Sequence, residues 1–136
     1  MGIYLNPSNA GFKEALAGKI YVDKSMLISE LNKLIGTSGK YVCVSRPRRF
    51  GKTIATDMMC AYYSKGCDSR EMFKKLKISK AKNFEQYLNK LNFIMIDVAS
   101  EYQNAKNKDK MLDKLTAFVK SEFKQQFPKV DFSPCE

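Results

Sequence analysis

The residues best suited to chemistry lie in one loop with the sequence RPRRFGKT, residues 46–53. An apolar run, residues 41–44, precedes the loop, and a predicted helix from Thr53 to about Ser64 follows it. A strand, a loop with Gly-Lys-Thr and a helix form the context of a phosphate-binding P-loop. In such a loop the backbone N–H groups and the helix N-terminus hold phosphate oxygens. We therefore expect Lys52 to reach the β- and γ-phosphates of a nucleotide and the Thr53 hydroxyl to bind Mg²⁺.

The loop departs from the usual P-loop pattern at its first position, where Arg46 replaces a glycine. Gly51 permits the close backbone approach that an anion needs. Arg48 and Arg49 lie within the loop, so a planar guanidinium can add a two-pronged phosphate contact. The alternative interpretation is a basic turn that ends at Gly51, with Lys52 solvated. The predicted nucleotide-binding residues are Arg46, Arg48, Arg49, Gly51, Lys52 and Thr53.

Two motifs taken together resemble a known family. The segment YVDKS at residues 21–25, followed by SRPRRFGKT at residues 45–53, is similar to the YVDKT and RPRRFGK[ST] segments of the bacterial AAA-ATPase-like family. Arg46 in place of the first glycine is that family's own variant. The opening MGIYLNP and the later YYSKGCDS, residues 62–69, also resemble the family. The resemblance implies ATP and Mg²⁺ as cofactors.

The same resemblance implies an incomplete domain. Full-length members are several times longer, and they carry a later acidic Walker B strand and usually a C-terminal PD-(D/E)xK nuclease-like domain. Neither fits in 136 residues. We therefore expect residues 1–136 to form a single P-loop AAA-ATPase-like domain that is truncated before the Walker B strand.

Asp97 is a second candidate metal ligand because it follows the apolar run at residues 93–96. Four apolar residues and an aspartate outline a Walker B strand, whose carboxylate holds the Mg²⁺ shell. Any buried strand that ends in an acidic residue satisfies this pattern, so an ordinary strand-end carboxylate is the alternative. The resemblance places the true Walker B strand much further along the chain. Glu101 is a weaker candidate for a catalytic base.

Composition limits the class of protein. The chain has 136 residues, of which 44% are hydrophobic and 28% are charged, and these values are typical of one globular domain. No apolar run is long enough to span a membrane and no signal peptide is visible, so we expect a cytoplasmic protein without a membrane partner. The absence of histidine excludes histidine-based acid–base catalysis and most zinc sites. The four cysteines show no CxxC pairing, and we expect free thiols.

Positive charge is concentrated in the middle of the chain. The formal net charge is +10, and residues 40–90 carry 13 basic and 4 acidic side chains. Such a region attracts nucleotide phosphates or a nucleic-acid backbone, so nucleic acid is a candidate partner of residues 40–90. For the lysines from Lys74 to Lys82, an ordinary lysine-rich surface is the alternative interpretation.

Alternating helices and short apolar runs predict an α/β fold class, which is a P-loop NTPase-like fold with a small parallel sheet flanked by helices. The predicted strands span residues 20–22, 41–44 and 93–96, and the parallel sheet contains the last two. The predicted helices span roughly residues 8–17, 24–35, 53–64, 69–76, 80–90 and 108–126.

Three functional hypotheses follow. The first is ATP binding through the variant Walker A loop, with weak or absent hydrolysis because the Walker B part is missing. The alternative is a basic module, derived from the P-loop fold, that binds nucleic acid or a nucleic-acid-processing protein, for example as a mobile-element inhibitor of a nuclease. The third is an active NTPase that completes its site by self-association. Unpaired strands and uncovered apolar faces also predict a homodimer or a complex with a protein partner.

Overall fold

The chain folds as helices joined by turns and extended segments in a computed structural model that describes residues 2–133. Two 3₁₀ segments, Ser38–Lys40 and Lys77–Lys80, lie between the helices. None of the helices in this described range is long and apolar enough to cross a membrane. The α-helices are α1 (Ala10–Ala17), α2 (Met26–Leu34), α3 (Lys52–Tyr63), α4 (Arg70–Phe73), α5 (Val98–Asn104) and α6 (Met111–Gln126).

The predicted α/β fold class is wrong for this chain. Among residues 2–133, β-pairing is limited to two isolated bridges, and no parallel sheet forms between residues 41–44 and residues 93–96. A parallel sheet requires strands that find each other across long stretches of sequence. Short apolar runs indicate only that a segment can be extended, and they do not supply its neighbour.

Residues 41–44, the predicted central strand, lie extended at the surface. All four side chains are exposed, and Tyr41 is 85% exposed. Within the described range, residues 41–50 make no backbone–backbone hydrogen bond. The N–H and C=O groups of an exposed segment can bond to water, so this segment does not need a neighbouring strand to avoid unpaired polar groups.

The second predicted strand, residues 93–96, pairs with the N-terminal segment instead. The bridge between Leu5 and Ile94 is antiparallel. Beside it, the Met95 N–H donates to the carbonyl oxygen of Tyr4 at 2.9 Å. Part of the backbone of residues 93–96 is therefore paired with the N-terminal segment, and the sense of this pairing is opposite to the predicted one.

The Glu122 carboxylate on α6 binds three consecutive backbone N–H groups of the N-terminal segment. It accepts hydrogen bonds from the backbone N–H groups of Ile3, Tyr4 and Leu5 at 2.7, 3.0 and 2.9 Å. Burial raises the pKa of Glu122, but these bonds outweigh that effect and leave the pKa below its ordinary value. Backbone N–H donors favour the ionised carboxylate. The ionised side chain thus joins α6 to the start of the chain.

The hydrophobic core lies between α1, α2, α3 and α4 and the turns that follow α4. Phe12 stacks on Phe73 with ring centroids 5.1 Å apart, and Tyr62 meets Phe73 edge-on at 5.8 Å. Aromatic pairs of this kind bury large apolar areas. The core anchors α3, whose N-terminal end carries the Gly-Lys-Thr sequence. Its buried members are Phe12, Ile28, Met58, Ala61, Tyr62, Tyr63, Phe73, Leu76, Ile78, Phe84 and Leu88.

Residues 81–90 form turns, so the helix predicted over residues 80–90 is also wrong. Asn89 has a φ of 53°, in the left-handed region that regular α-helix does not use. Its side-chain amide donates to the carbonyl oxygens of Ala61 and Ser64, both at 2.9 Å, at the end of α3. Apolar spacing within the segment could not reveal these distant acceptors.

Candidate functional site

The predicted phosphate loop, residues 46–53, contains a turn at residues 48–51 and ends in the first two residues of α3. Lys52 donates a hydrogen bond from Nζ to the carbonyl oxygen of Arg46 at 2.5 Å. Arg49 and Gly51 have positive φ angles of 64° and 75°. Glycine adopts this region freely, whereas other residues enter it at a cost. The Lys52 side chain thus bridges the loop from its end back to its first residue.

The start of α3 presents free backbone donors. The first helical hydrogen bond runs from the Ala55 N–H to the carbonyl oxygen of Gly51 at 3.0 Å. The N–H groups of Lys52, Thr53 and Ile54 have no backbone acceptor in the part of the chain that the structure describes. A helix N-terminus with free N–H groups and the positive end of its dipole favours an anion. The backbone at this point is therefore suited to phosphate.

The side chains of the loop add positive charge. Arg46, Arg48, Arg49 and Lys52 are all exposed. The ion pairs found within residues 2–133 involve none of them, and residues 31–56 contain no aspartate or glutamate. Charge-assisted bonds from arginine and lysine to phosphate are stronger than neutral ones. The charge and the free N–H groups therefore favour the same class of ligand.

The second sequence motif, residues 21–25, contacts the loop. Lys24 donates a hydrogen bond from Nζ to the carbonyl oxygen of Phe50 at 2.6 Å. Sequence reasoning used this motif only as part of a resemblance and gave Lys24 no role. The presence of a lysine in the motif was the available signal, but its contact with a loop 26 residues later is visible only in the structure.

Asp23 fixes the segment that carries Lys24. Its carboxylate accepts hydrogen bonds from the backbone N–H groups of Ser25 at 2.9 Å and Lys77 at 2.8 Å. Burial raises the pKa of Asp23, but the hydrogen bonds from Ser25 and Lys77 outweigh it and leave the pKa below its ordinary value. The ionised carboxylate therefore ties the start of α2 to the turn that begins at Lys77.

Asp97, the predicted second metal ligand, caps the N-terminus of α5. Its carboxylate accepts from the Ser100 N–H at 3.1 Å and from the Ser100 hydroxyl at 2.7 Å. These bonds hold the pKa of Asp97 below its ordinary value. Glu101 accepts a hydrogen bond from the Tyr4 hydroxyl at 2.8 Å. Neither carboxylate has a hydrogen bond or ion pair to the loop among the described residues, so the metal role of Asp97 stays a prediction.

No group of three or more histidine, cysteine, aspartate or glutamate side chains in the described residues could hold a metal ion. The Thr53 hydroxyl is exposed at the first turn of α3. A Mg²⁺ ion at this place would therefore take much of its coordination from the phosphates and from water, which is common for Mg²⁺ in nucleotide sites.

Comparison with known proteins finds one family. The AAA-ATPase-like family model, described as Predicted AAA-ATPase, matches residues 12–132. The matched range includes both motifs described above, and the resemblance inferred from them is confirmed. No curated protein and no solved structure matches the chain significantly.

Proposed function

Because this chain belongs to the AAA-ATPase-like family, we propose that residues 46–53 bind the phosphate groups of ATP together with Mg²⁺. One observation carries the proposal: a loop whose cations form no ion pair within residues 2–133 leads directly into a helix start where the N–H groups of Lys52, Thr53 and Ile54 have no backbone acceptor. Phosphate is both anionic and rich in acceptor oxygens, so each of these features stabilises the same ligand.

Ligand binding requires Lys52 to leave its contact with Arg46. A phosphate oxygen is a charged acceptor and forms a stronger hydrogen bond than the neutral carbonyl that Lys52 now contacts. The ammonium group therefore moves to the β- and γ-phosphates when the nucleotide binds. Thr53 is the proposed Mg²⁺ ligand, and Asp97, whose carboxylate now accepts hydrogen bonds from Ser100, is the second proposed residue of the metal shell.

We expect little or no ATP hydrolysis. Phosphoryl transfer needs a carboxylate in the metal shell and a group that orients the attacking water. Asp97 and Glu101 are both engaged in other hydrogen bonds, and the chain has no histidine. Binding through the loop therefore proceeds without efficient turnover.

Calorimetric titration with Mg-ATP, Mg-GTP and inorganic phosphate tests the proposal. Lys52→Ala removes a charge-assisted contact, a loss of about 1.5–3 kcal/mol, or roughly tenfold or more in affinity. The matched control is Lys65→Ala, because Lys65 is exposed beyond the other end of the same helix. This control should bind as the wild type does. Equal binding by wild type and Lys52→Ala, or no binding by the wild type, would contradict the proposal.

A second candidate function is nucleic-acid binding through the loop arginines. The observation that favours it is the exposure of Arg46, Arg48 and Arg49 in a stretch, residues 31–56, without acidic side chains. Binding of this kind releases counterions from the nucleic acid, so its affinity falls steeply as the salt concentration rises. Fluorescence anisotropy with a labelled oligonucleotide at several salt concentrations tests it. A complex lost in the Arg48→Ala/Arg49→Ala double variant but retained in Lys52→Ala would favour this function over nucleotide binding.

A further inference from the structure

The exposed segment just before the phosphate loop has backbone groups that are free to pair. Residues 41–45 contain no helix or turn, and Tyr41 has the extended dihedral angles φ −87° and ψ 103°. Within the described range these residues make no backbone–backbone hydrogen bond, and all five side chains are exposed. Another extended chain can add as a strand to such a row of N–H and C=O groups. Residues 41–45 are called the open edge below.

An apolar pocket opens beside the open edge. It has a volume of about 270 Å³ and lies between α2, α3 and residues 91–93, and Val42 of the open edge lines it. Pockets for small molecules usually span about 300–1,000 Å³. This pocket, called the edge pocket below, is therefore better suited to one or two apolar side chains than to a whole small molecule.

The edge pocket has a well-defined aromatic wall. Tyr63 and Phe93 both line it, and their rings are stacked with centroids 5.9 Å apart and planes 10° from parallel. Leu34 and Met59 line it as well, and both are only partly buried. Covering such apolar surface stabilises a complex. In peptide recognition by strand addition, pockets for alternate side chains of the added strand provide the specificity.

A cation lies at each end of the open edge. Lys40 precedes it and Arg46 follows it, and both side chains are exposed. The Lys40 ammonium lies 5.3 Å from the centre of the Tyr41 ring, and Lys40 is the charged residue among the described residues that line the edge pocket. Residues 31–56 contain no aspartate or glutamate. Complementary charge would therefore come from carboxylates at both ends of an added strand.

A second copy of this chain fits the open edge poorly because it would bring like charges together. If two open edges pair antiparallel about a two-fold axis at Cys43, each Lys40 lies opposite the Arg46 of the other copy. An in-register parallel pair places Lys40 beside Lys40. Like charges directly opposite each other destabilise a strand pair. A segment with acidic ends avoids this repulsion.

We propose that residues 41–45 receive an extended, acidic-ended segment of another protein as an added strand, with one of its apolar side chains in the edge pocket. Main-chain hydrogen bonds supply the affinity, and the pocket selects the side chain. Lys40 and Arg46 select the charge at the two ends. This inference does not rest on the proposed function, because its backbone and pocket contacts lie outside residues 46–53.

The test uses the labelled peptide ETLTLTE and fluorescence anisotropy. Alternate side chains of a strand lie on one face, so a leucine is opposite Val42 whether the peptide pairs parallel or antiparallel. The peptide KTLTLTK reverses the charge of the ends. Two further forms of ETLTLTE carry N-methyl groups on the odd or on the even residues. Because alternate N–H groups of a strand point to the same edge, strand addition predicts that only one of these two forms loses binding.

Two variants of the protein test the contacts separately, and each has a matched control. Lys40→Glu reverses the charge at the start of the open edge, and Lys13→Glu makes the same change at an exposed position on α1. Val42→Thr replaces an apolar methyl group in the edge pocket with a hydroxyl. Val130→Thr is its control, because Val42 is 48% exposed and Val130 is 53% exposed, and Val130 does not line the edge pocket.

The wild type should bind ETLTLTE about threefold to tenfold more tightly than KTLTLTK at low salt. Lys40→Glu should reduce this preference at least about threefold, since an attraction becomes a repulsion. Val42→Thr should weaken both peptides about threefold. Lys13→Glu and Val130→Thr should change neither the preference nor the affinity.

Three outcomes would overturn the inference. The first is no binding of ETLTLTE by the wild type up to about 1 mM. The second is an equal effect of the two N-methylated forms, or binding that Val42→Thr leaves unchanged. The third is self-association of the peptide-free wild type in light scattering that ETLTLTE reverses, because a second copy would then occupy the open edge.

Discussion

The ammonium nitrogen of Lys24 lies 3.2 Å from the point that a Cβ atom on Gly51 would occupy. Gly51 also has a φ of 75°, a backbone conformation that residues other than glycine adopt at a cost. The residue therefore has two separate reasons to be glycine, its backbone conformation and the proximity of Lys24. Gly36 has a similar φ of 79° but nothing within 4 Å of its Cβ position, so it has only the first reason.

Gly51→Ala should weaken both folding and ligand binding, whereas Gly36→Ala should weaken folding alone. Each substitution places an alanine in the left-handed region, at a cost of about 1–2 kcal/mol in the free energy of unfolding. Only Gly51→Ala also pushes against the Lys24 ammonium group, which must shift by a few tenths of an ångström beside the loop. Urea unfolding and calorimetry with magnesium tripolyphosphate measure the two effects. Gly39→Ala is the control for adding a methyl group at a position without backbone strain, because the new Cβ would make only ordinary contacts. Unchanged binding by Gly51→Ala would contradict the prediction.

Lys24→Met should loosen the phosphate loop with little effect on overall stability. Methionine keeps an unbranched stem but loses the hydrogen bond to Phe50, and because Lys24 is exposed, the free energy of unfolding should fall by less than about 1 kcal/mol. Tripolyphosphate affinity should fall about threefold to tenfold, since the loop carbonyl is no longer held and one cation is lost. Lys13→Met, at an exposed position on α1, is the control. A result in which both variants bind equally well would show that Lys24 does not support the loop.

Asn89→Ala should be among the more destabilising single substitutions. The side chain bonds to Ala61 O, Ser64 O and the Ser69 N–H, at distances from 2.9 to 3.0 Å. Losing these bonds from partly buried groups should lower the free energy of unfolding by about 2–3 kcal/mol. Asn89→Gly loses the same bonds but accepts the φ of 53° more easily, so it should be about 1 kcal/mol less destabilised than Asn89→Ala. Denaturant titration of both variants checks the order, and the reverse order would contradict it.

Asp57→Asn should stabilise the protein at neutral pH. Burial raises the pKa of the Asp57 carboxyl, and the Glu14 carboxylate raises it further. A raised folded-state pKa contributes stability below the unfolded pKa, near 3.8, and that stability is lost as pH rises through the folded value. The amide cannot ionise, so the variant should gain a few tenths of a kcal/mol at neutral pH after solvent screening. Urea unfolding at several pH values, with Asp109→Asn as an exposed control, measures it. A gain that persists below the unfolded pKa would rule out this origin.

Cys43 should react with a thiol reagent much faster than Cys60. Burial raises the pKa of Cys60 to about 12, and the Asp57 carboxylate adds to the increase, whereas Cys43 is exposed. Because the thiolate is the reactive form, Cys60 should be modified only after unfolding. Peptide mass spectrometry after timed exposure to a maleimide identifies each site. Equal rates for the two cysteines in the folded protein would contradict the burial of Cys60.

The same labelling tests the predicted self-association. If a second copy covers residues 41–44, the Cys43 rate should fall as the protein concentration rises, and light scattering should report a larger particle over the same range. Cys67, which is only partly buried and lies beyond α3, serves as the internal reference. A constant Cys43 rate together with a monomeric mass would contradict self-association through this segment.

The sequence predicted those parts of the structure whose signals are local. The helix expected from Thr53 to about Ser64 is α3, Lys52–Tyr63, and the helix expected to end at Gln126 ends there. A glycine before the helix and apolar residues spaced along one face are sufficient for such a prediction. The loop residues could be proposed together as one candidate site for the same reason, because they are contiguous, and their role in binding stays a prediction.

The remaining features depend on partners that are distant in sequence. The contact between Lys24 and Phe50 joins two motifs that sequence reasoning could only place in order. The sheet was predicted from residues 41–44 and 93–96, but the second run pairs with Leu5 and its neighbours instead. A short apolar run does not encode which segment becomes its neighbour, so pairing was the part of the fold that could not be derived.

The attachment of the N-terminal segment to Glu122 has a consequence for synthesis on the ribosome. Ile3 is separated by 119 residues from the carboxylate that binds its N–H group. At a translation rate of about 5–20 residues per second, the nascent N-terminal segment waits roughly 6–24 s for that carboxylate to be made. During this interval the first residues cannot take their final place, whereas α1, α2 and α3 can already meet. The segment around Ile3 is therefore among the last to take its final place.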